Sequence, residues 1–169
     1  MKQVKKKEKK PTLAELIQEI EKINPKIKYN IEIKSTLEDE KAGFQPPVEE
    51  FTDLVIKTIN SLLPNDRFSI QSFDWRVLNV LAKKYPEVTR VALIESVYHI
   101  SSLFNSLDKL PQVFSPYYGL LTQQDIEYLH LNKIKVIPWT VNDTDTMKYL
   151  IKLGVDGIIT DYPDLIEKL

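Results

Sequence analysis

The feature that most constrains this chain is the alternation of short strand-like runs with amphipathic helical ones across most of its length. Strand-like runs fall at Tyr29–Lys34, Phe68–Phe73, Val91–Glu95, Val113–Ser115, Lys135–Val141 and Gly157–Thr160. Helical periodicity opens at Pro11-Thr12, carries Leu13, Leu16, Ile17 and Ile20, and ends near Asn24-Pro25. It returns with Phe51, Leu54, Val55, Ile59 and Leu62 before Pro64, and again from Asp74, a capping residue, to Tyr85 before Pro86. Further helices are expected at Ser101–Leu107, Thr122–Asn132 and Asp143–Leu153, whereas the polar stretch Ser35–Pro47 reads as a loop. Parallel strands need crossovers and the helices supply them, so about six strand and helix units imply an α/β fold with a mostly parallel sheet.

An open doubly wound sheet and a barrel both satisfy this alternation. No strand-like run leads into a GxGxxG or GxxxxGK sequence, so a nucleotide-binding reading has no motif behind it. The polar residues lean toward the barrel. Glu32 with Lys34, Ser72, Glu95, Trp139 with Asn142, and Asp161 stand at or just beyond the carboxyl ends of their strands, where barrel enzymes assemble sites from several loops. In Tyr29–Lys34 the period of two puts Glu32 and Lys34 on one face and Ile31 and Ile33 on the other. That charged face holds either a partly buried ion pair inside the sheet or a pair of ligand-binding groups.

Composition narrows the classes. The 169 residues include 23 basic and 24 acidic side chains, so the formal net charge of -1 offers no overall attraction to nucleic acid. Six lysines within Met1–Lys10 form a local exception, a lysine-rich lead-in of the kind usually solvated, ahead of a domain expected over 11–169. With no cysteine, disulfides, thiolate metal sites and cysteine nucleophiles are excluded. No run approaches the ~18 apolar residues of a membrane span. Nothing in the chain fixes its compartment.

Four segments carry a resemblance. Asn30-Ile31-Glu32-Ile33-Lys34-Ser35, Gln71-Ser72-Phe73, Ile137-Pro138-Trp139-Thr140-Val141-Asn142 and Gly154 to Pro163 (GVDGIITDYP) resemble, in order and rough spacing, successive motifs of the glycerophosphodiester phosphodiesterase family. The resemblance runs from about Pro11 to the end. It implies a TIM-barrel-type phosphodiesterase domain that hydrolyses glycerophosphodiesters to glycerol 3-phosphate and an alcohol, usually with a divalent cation such as calcium or magnesium. It also implies that Glu32 is a metal ligand and Lys34 a phosphate ligand. A hard cation and a lysine can share one phosphate's oxygens, which fits their spacing. Ser72, Phe73, Trp139 and Asn142 match positions lining the substrate pocket. Each has a plainer reading: Trp139 as core, Asn142 as a helix cap.

The departures are equally specific. The family's His-Arg-Gly strand, its Glu-x-Asp metal pair and a second histidine are absent, and the two histidines present, His99 and His130, lie in no matching motif. The resemblance therefore assigns no catalytic residue in this chain, since the groups that would move protons onto the leaving oxygen and off the nucleophile are missing. An eight-unit barrel takes about 250 residues, so the chain is expected to form about six of eight units, the carboxyl-terminal part of such a domain. Two open sheet edges would follow, and with them self-association or a need for an upstream segment. The alternative is a non-catalytic remnant that binds phosphate or a partner.

Overall fold

The structure, a computed structural model, describes residues 9–96, 100 and 105–169. Most of the lysine-rich lead-in, His99 and most of the helix expected at 101–107 lie outside those residues. Five strands form one sheet: β1 (Tyr29–Glu32), β2 (Phe68–Ser72), β3 (Thr89–Ile94), β4 (Val113–Pro116) and β5 (Lys135–Val136). Their spatial order is β1-β2-β3-β4-β5 and every pairing is parallel. A doubly wound sheet reverses its order at a switch point, whereas a barrel adds each strand beside the last. The sequential order therefore selects the barrel type, incomplete at five strands.

The α-helices among the described elements are α1 (Leu13–Ile23), α2 (Leu37–Lys41), α3 (Val48–Asn60), α4 (Trp75–Lys84), α5 (Gln123–Leu131) and α6 (Thr144–Leu153). Their starts follow from capping chemistry. Thr12 with Glu15 and Thr122 with Asp125 form reciprocal capping boxes, and Asp74 and Asp143 cap α4 and α6. Gly154 ends α6 at φ 96°, a conformation in which a side chain would be strained. The loop expected over Ser35–Pro47 contains α2, begun by Thr36, whose hydroxyl accepts from Asp39 N–H at 3.0 Å.

Strand register decides which side chains are core. Paired residues of parallel neighbours share a face, so Ala92 and Phe114 pair beside Val136 and join Ile70 against the helices. That layer meets Ile56 and Ile59 of α3, Leu78 and Leu81 of α4, Leu129 of α5 and Leu150 of α6 in one buried core. The opposite face is mixed. Val91, Leu93, Val113 and Ser115 are buried there, but toward β1 it turns polar: Asn30 donates to Gln71 at 2.7 Å and accepts from Ser69 at 2.8 Å.

The sixth expected strand, Gly157–Thr160, is not a regular strand, and of Lys135–Val141 only Lys135–Val136 is regular. The chain after β5 keeps bonding to β4: Ile137 N–H donates to Phe114 C=O and Trp139 N–H to Pro116 C=O. On its other side the ladder fails for a chemical reason. Val136 N–H goes to the Asp156 carboxylate at 2.7 Å, and Pro138, next in line, has no N–H to give. Three bonds remain: Asp156 N–H to Val136 C=O, Ile159 N–H to Pro138 C=O and Val141 N–H to Ile159 C=O.

Candidate functional site

The carboxyl ends of β1, β2 and β3 open onto a shared cleft of about 320 Å³. Glu32, Lys34 and Ser35 come from the end of β1, Asp39 from α2, Phe73 and Asp74 from the turn after β2, and Glu95 from the turn after β3. The alternation read from the sequence holds. Ile33 is buried and extends the β1–β2 ladder through its N–H to Gln71 C=O, which leaves Glu32 and Lys34 on the cleft side. Their charged atoms are 3.9 Å apart, and the Lys34 side chain is 82 % exposed while that of Glu32 is 25 % exposed. Glu32 is the partly buried member of the pair, and Lys34 stands at the mouth. It is also the one cation among the described residues lining this cleft.

Below the mouth, Asp74 holds the walls in place. It caps α4 through Arg76 N–H, receives the Arg76 guanidinium at 2.7 Å and accepts from the Ser35 hydroxyl at 2.6 Å. Arg76 also reaches Glu40 of α2 at 2.8 Å, so one cluster ties α2, the end of β1 and α4 together. Burial pushes the Asp74 carboxyl upward, but the hydrogen bonds from Arg76 and Ser35 outweigh it and hold the group below the usual carboxylate range. Sequence reading took Asp74 only as a cap. A cap oxygen is visible in a sequence, but its distant partners, Ser35 and Glu40, are not.

An aromatic wall closes one side. Phe73 packs edge-on to Trp139 with centroids 5.4 Å apart, and Tyr117 meets Trp139 at 5.9 Å. The Trp139 indole N–H donates to Ser115 C=O at 2.8 Å, which fixes the half-buried ring at the carboxyl end of β4 behind Phe73. Ser72 sits differently from Phe73. It is fully buried, donating to Ile33 C=O at 2.7 Å and accepting from Asp74 N–H at 3.1 Å, so its hydroxyl shapes the turn that presents Phe73 and Asp74. Asn142 is exposed and knits two loops: its amide donates to Asp161 at 2.9 Å while its oxygen accepts from Asp161 N–H and the Thr160 hydroxyl.

His130 lies elsewhere. Its Nε2 is 2.9 Å from Asp156, whose carboxylate also bonds Val136 N–H at the beginning of β5, the end of the sheet opposite the cleft. Among the described residues no three His, Cys, Asp or Glu side chains are grouped to hold a metal ion. Glu32 shares the cleft with Asp39, Asp74 and Glu95, but these are not grouped closely enough to hold an ion, and Asp74 is already committed to Arg76 and Ser35. The described donors do not fit a divalent-cation site, for which six or more oxygens are wanted.

This architecture is that of an incomplete parallel α/β barrel with a cleft at the carboxyl ends of its strands. The chain matches the Glycerophosphoryl diester phosphodiesterase family over residues 1–165, and it belongs to that family. A glycerophosphodiester phosphodiesterase of Caldanaerobacter subterraneus subsp. tengcongensis is 31% identical over 140 residues, 83% of this chain and 54% of the relative. One from Bacillus altitudinis is 28% identical over 83% of this chain and 54% of its own. The chain thus spans about half the length of these curated relatives. Among solved structures, an Oleispira antarctica phosphodiesterase in complex with the product sn-glycerol-3-phosphate superposes with a TM-score of 0.77 at 21% identity, over 94% of this chain and 60% of that one. A glycerophosphodiester phosphodiesterase of Parabacteroides distasonis gives 0.73 at 17%, over 94% and 63%. At such identities these two speak for the fold. No described helix is long and apolar enough to cross a membrane.

Proposed function

We propose that this chain forms the phosphate- and glycerol-binding side of a glycerophosphodiester phosphodiesterase site, the class of site that releases glycerol 3-phosphate and an alcohol. The observation that carries the reading is Lys34: the sole cation among the described residues lining the cleft, largely exposed, at the carboxyl end of the parallel sheet. Lys34 takes the phosphate charge. Phe73 and Trp139 offer an apolar face to the glycerol carbons, Glu32 a carboxylate beside the phosphate, and Ser72 and Asn142 hold the loops that present them. The Oleispira complex supports the choice of ligand.

The lack of a metal-holding group among the described residues, with His130 at the far end of the sheet, favours binding over hydrolysis by this chain alone. Proton transfer to the leaving alcohol then needs groups supplied from outside the described site. Calorimetry with sn-glycerol 3-phosphate tests the reading. Binding should be measurable for the intact chain and weaken at least tenfold, roughly the worth of one charge-assisted contact, in Lys34→Met. Equal affinity in both proteins would refute it. A coupled assay for released glycerol 3-phosphate should stay at background; turnover abolished by Lys34→Met would favour the full enzyme.

A further inference from the structure

Strands of one parallel sheet all enter from the same end, so the turns ahead of β1, β4 and β5 stand at the amino end of the sheet, opposite the cleft. Ile23, the last residue of α1, and Leu131, the last of α5, are 84% and 83% exposed there; Ile166, the next large aliphatic among the described residues, reaches 59%. Ile27 and Leu110 are exposed in the turns before β1 and β4. Scattered aliphatics need no explanation, but these four share one end and each has lysines beside it. Lys22, Lys26 and Lys28 surround Ile23 and Ile27, Lys109 precedes Leu110, and Lys133 and Lys135 follow Leu131; all six are exposed. Among the described residues only Lys22 of the six has an ion-pair partner, Glu19 at 2.6 Å. Two acids of this end are already held within the fold: Glu21 by Arg67 and Tyr29, and Asp156 by His130 and Val136 N–H. That leaves Asp66, Glu87 and Asp108 against the six lysines. Arg67 also donates to Ile27 C=O at 2.8 Å, which anchors the turn that carries Ile23 and Ile27 outward.

We infer that this amino-end face docks on the surface of an anionic lipid bilayer, with Ile23 and Leu131 entering the headgroup boundary and the lysines meeting lipid phosphates. The inference does not rest on the Lys34 reading above. Aliphatic tips ringed by basic side chains suit that boundary, because the aliphatic groups leave water while the lysines stay among anions. Strands spaced as in any sheet put the turns before β1 and β5 roughly 20 Å apart, close enough to rest on one bilayer. A soluble polyanion would use the lysines but gain nothing from Ile23 or Leu131. Docked this way, the chain turns its carboxyl-end cleft away from the bilayer, toward water.

The test is co-sedimentation of the intact chain with vesicles of mixed phosphatidylglycerol and phosphatidylcholine, with vesicles of phosphatidylcholine alone as the contrast. The chain should pellet with the anionic vesicles, far less with the neutral ones, and be released as salt rises. Ile23→Ser combined with Leu131→Ser should weaken partition to the anionic vesicles at least tenfold, the order expected when two aliphatic side chains no longer leave water. Both positions are exposed, and circular dichroism should show the double variant folded. No binding to anionic vesicles would overturn the inference. Binding unchanged in the double variant would overturn it too, since the lysine-rich lead-in would then suffice. Retention on heparin beads that ignores the two substitutions, without vesicle binding, would assign the lysines to a soluble polyanion instead. Loss of self-association in the double variant, again without vesicle binding, would assign the two aliphatics to a protein contact and overturn it equally.

Discussion

Replacing Asp74 by alanine removes the side chain that joins the end of β1 to α4 beneath the cleft. The lost α4 cap costs about 1 kcal/mol. The Ser35 hydrogen bond, charge-assisted and half-buried, adds about 1–2 kcal/mol. The Arg76 pair adds no more than about 0.5–1 kcal/mol, because Arg76 is partly solvated and keeps Glu40. The three share atoms and do not add fully, so the expected loss is roughly 2–3 kcal/mol. For a chain of this size that lowers Tm by roughly 4–12 °C. The loss depends on pH with a definite sign. The folded-state carboxyl is held below its ordinary value, so its stabilisation is complete above that value and fades as pH falls through the folded one. Urea unfolding followed by circular dichroism should show the gap between wild type and Asp74→Ala at pH 7, narrowing below about pH 4. Freed from Asp74, Ser35 no longer fixes the backbone next to Lys34, so sn-glycerol 3-phosphate affinity should fall too. A loss under about 1 kcal/mol at pH 7, or a gap that widens in acid, would refute the reasoning.

Arg90 is 4% exposed on the helix side of the sheet and, among the described residues, held by one side-chain bond to Leu110 C=O, with its Nε unpaired; burial pulls its pKa down. Arg90→Met should therefore raise stability, by about 1–2 kcal/mol, as a rise in the urea midpoint at constant slope. A clear fall would show that the guanidinium has a partner that matters. Calcium or magnesium titrated into the intact chain should bind with Kd above about 1 mM, because Glu32 supplies only one or two of the oxygens a hard cation wants. Micromolar binding in calorimetry would contradict the fit test. Among the described residues, the sheet pairs on one side only at β1, and 157–160 bonds only on its β5 side, beside an apolar groove lined by Met147, Ile151, Val155, Ile158, Ile166 and Leu169. Such edges should self-associate, so sedimentation at rising concentration should show mass growing beyond the monomer; a monomer throughout would count against it.

Helices were legible because their signals are local. Thr12, Asp74, Thr122 and Asp143 each announce a start by a cap that acts within three residues, and the observed helices begin directly after them. The same rule would have found α2, where Thr36 stands three residues before Asp39; the surrounding glycine and prolines masked it. The faces of β1 were legible too, since a period of two needs no partner to be counted. What did not show was whatever depends on residues far apart in the chain. Ser72 carries the right motif and the right position, yet its hydroxyl is consumed by Ile33 C=O, 39 residues away.

The fate of the last expected strand makes the same point more sharply. Gly157–Thr160 is rich in β-branched residues and reads as a strand by propensity. A strand, however, is a property of two chains, and its neighbour is where the ladder breaks: Pro138 has no N–H, and the N–H of Val136 is taken by the Asp156 side chain. Propensity at 157–160 cannot repair a donor missing at 138. The proline stands just before Trp139, where the chain leaves the β4 ladder and sets its indole behind Phe73, bonded to Ser115 C=O. The weak edge and the aromatic wall thus share one stretch, Ile137–Trp139. Restoring a donor at 138 would lengthen the pairing while changing the backbone that aims Trp139, so regular sheet there and the present wall compete for the same residues.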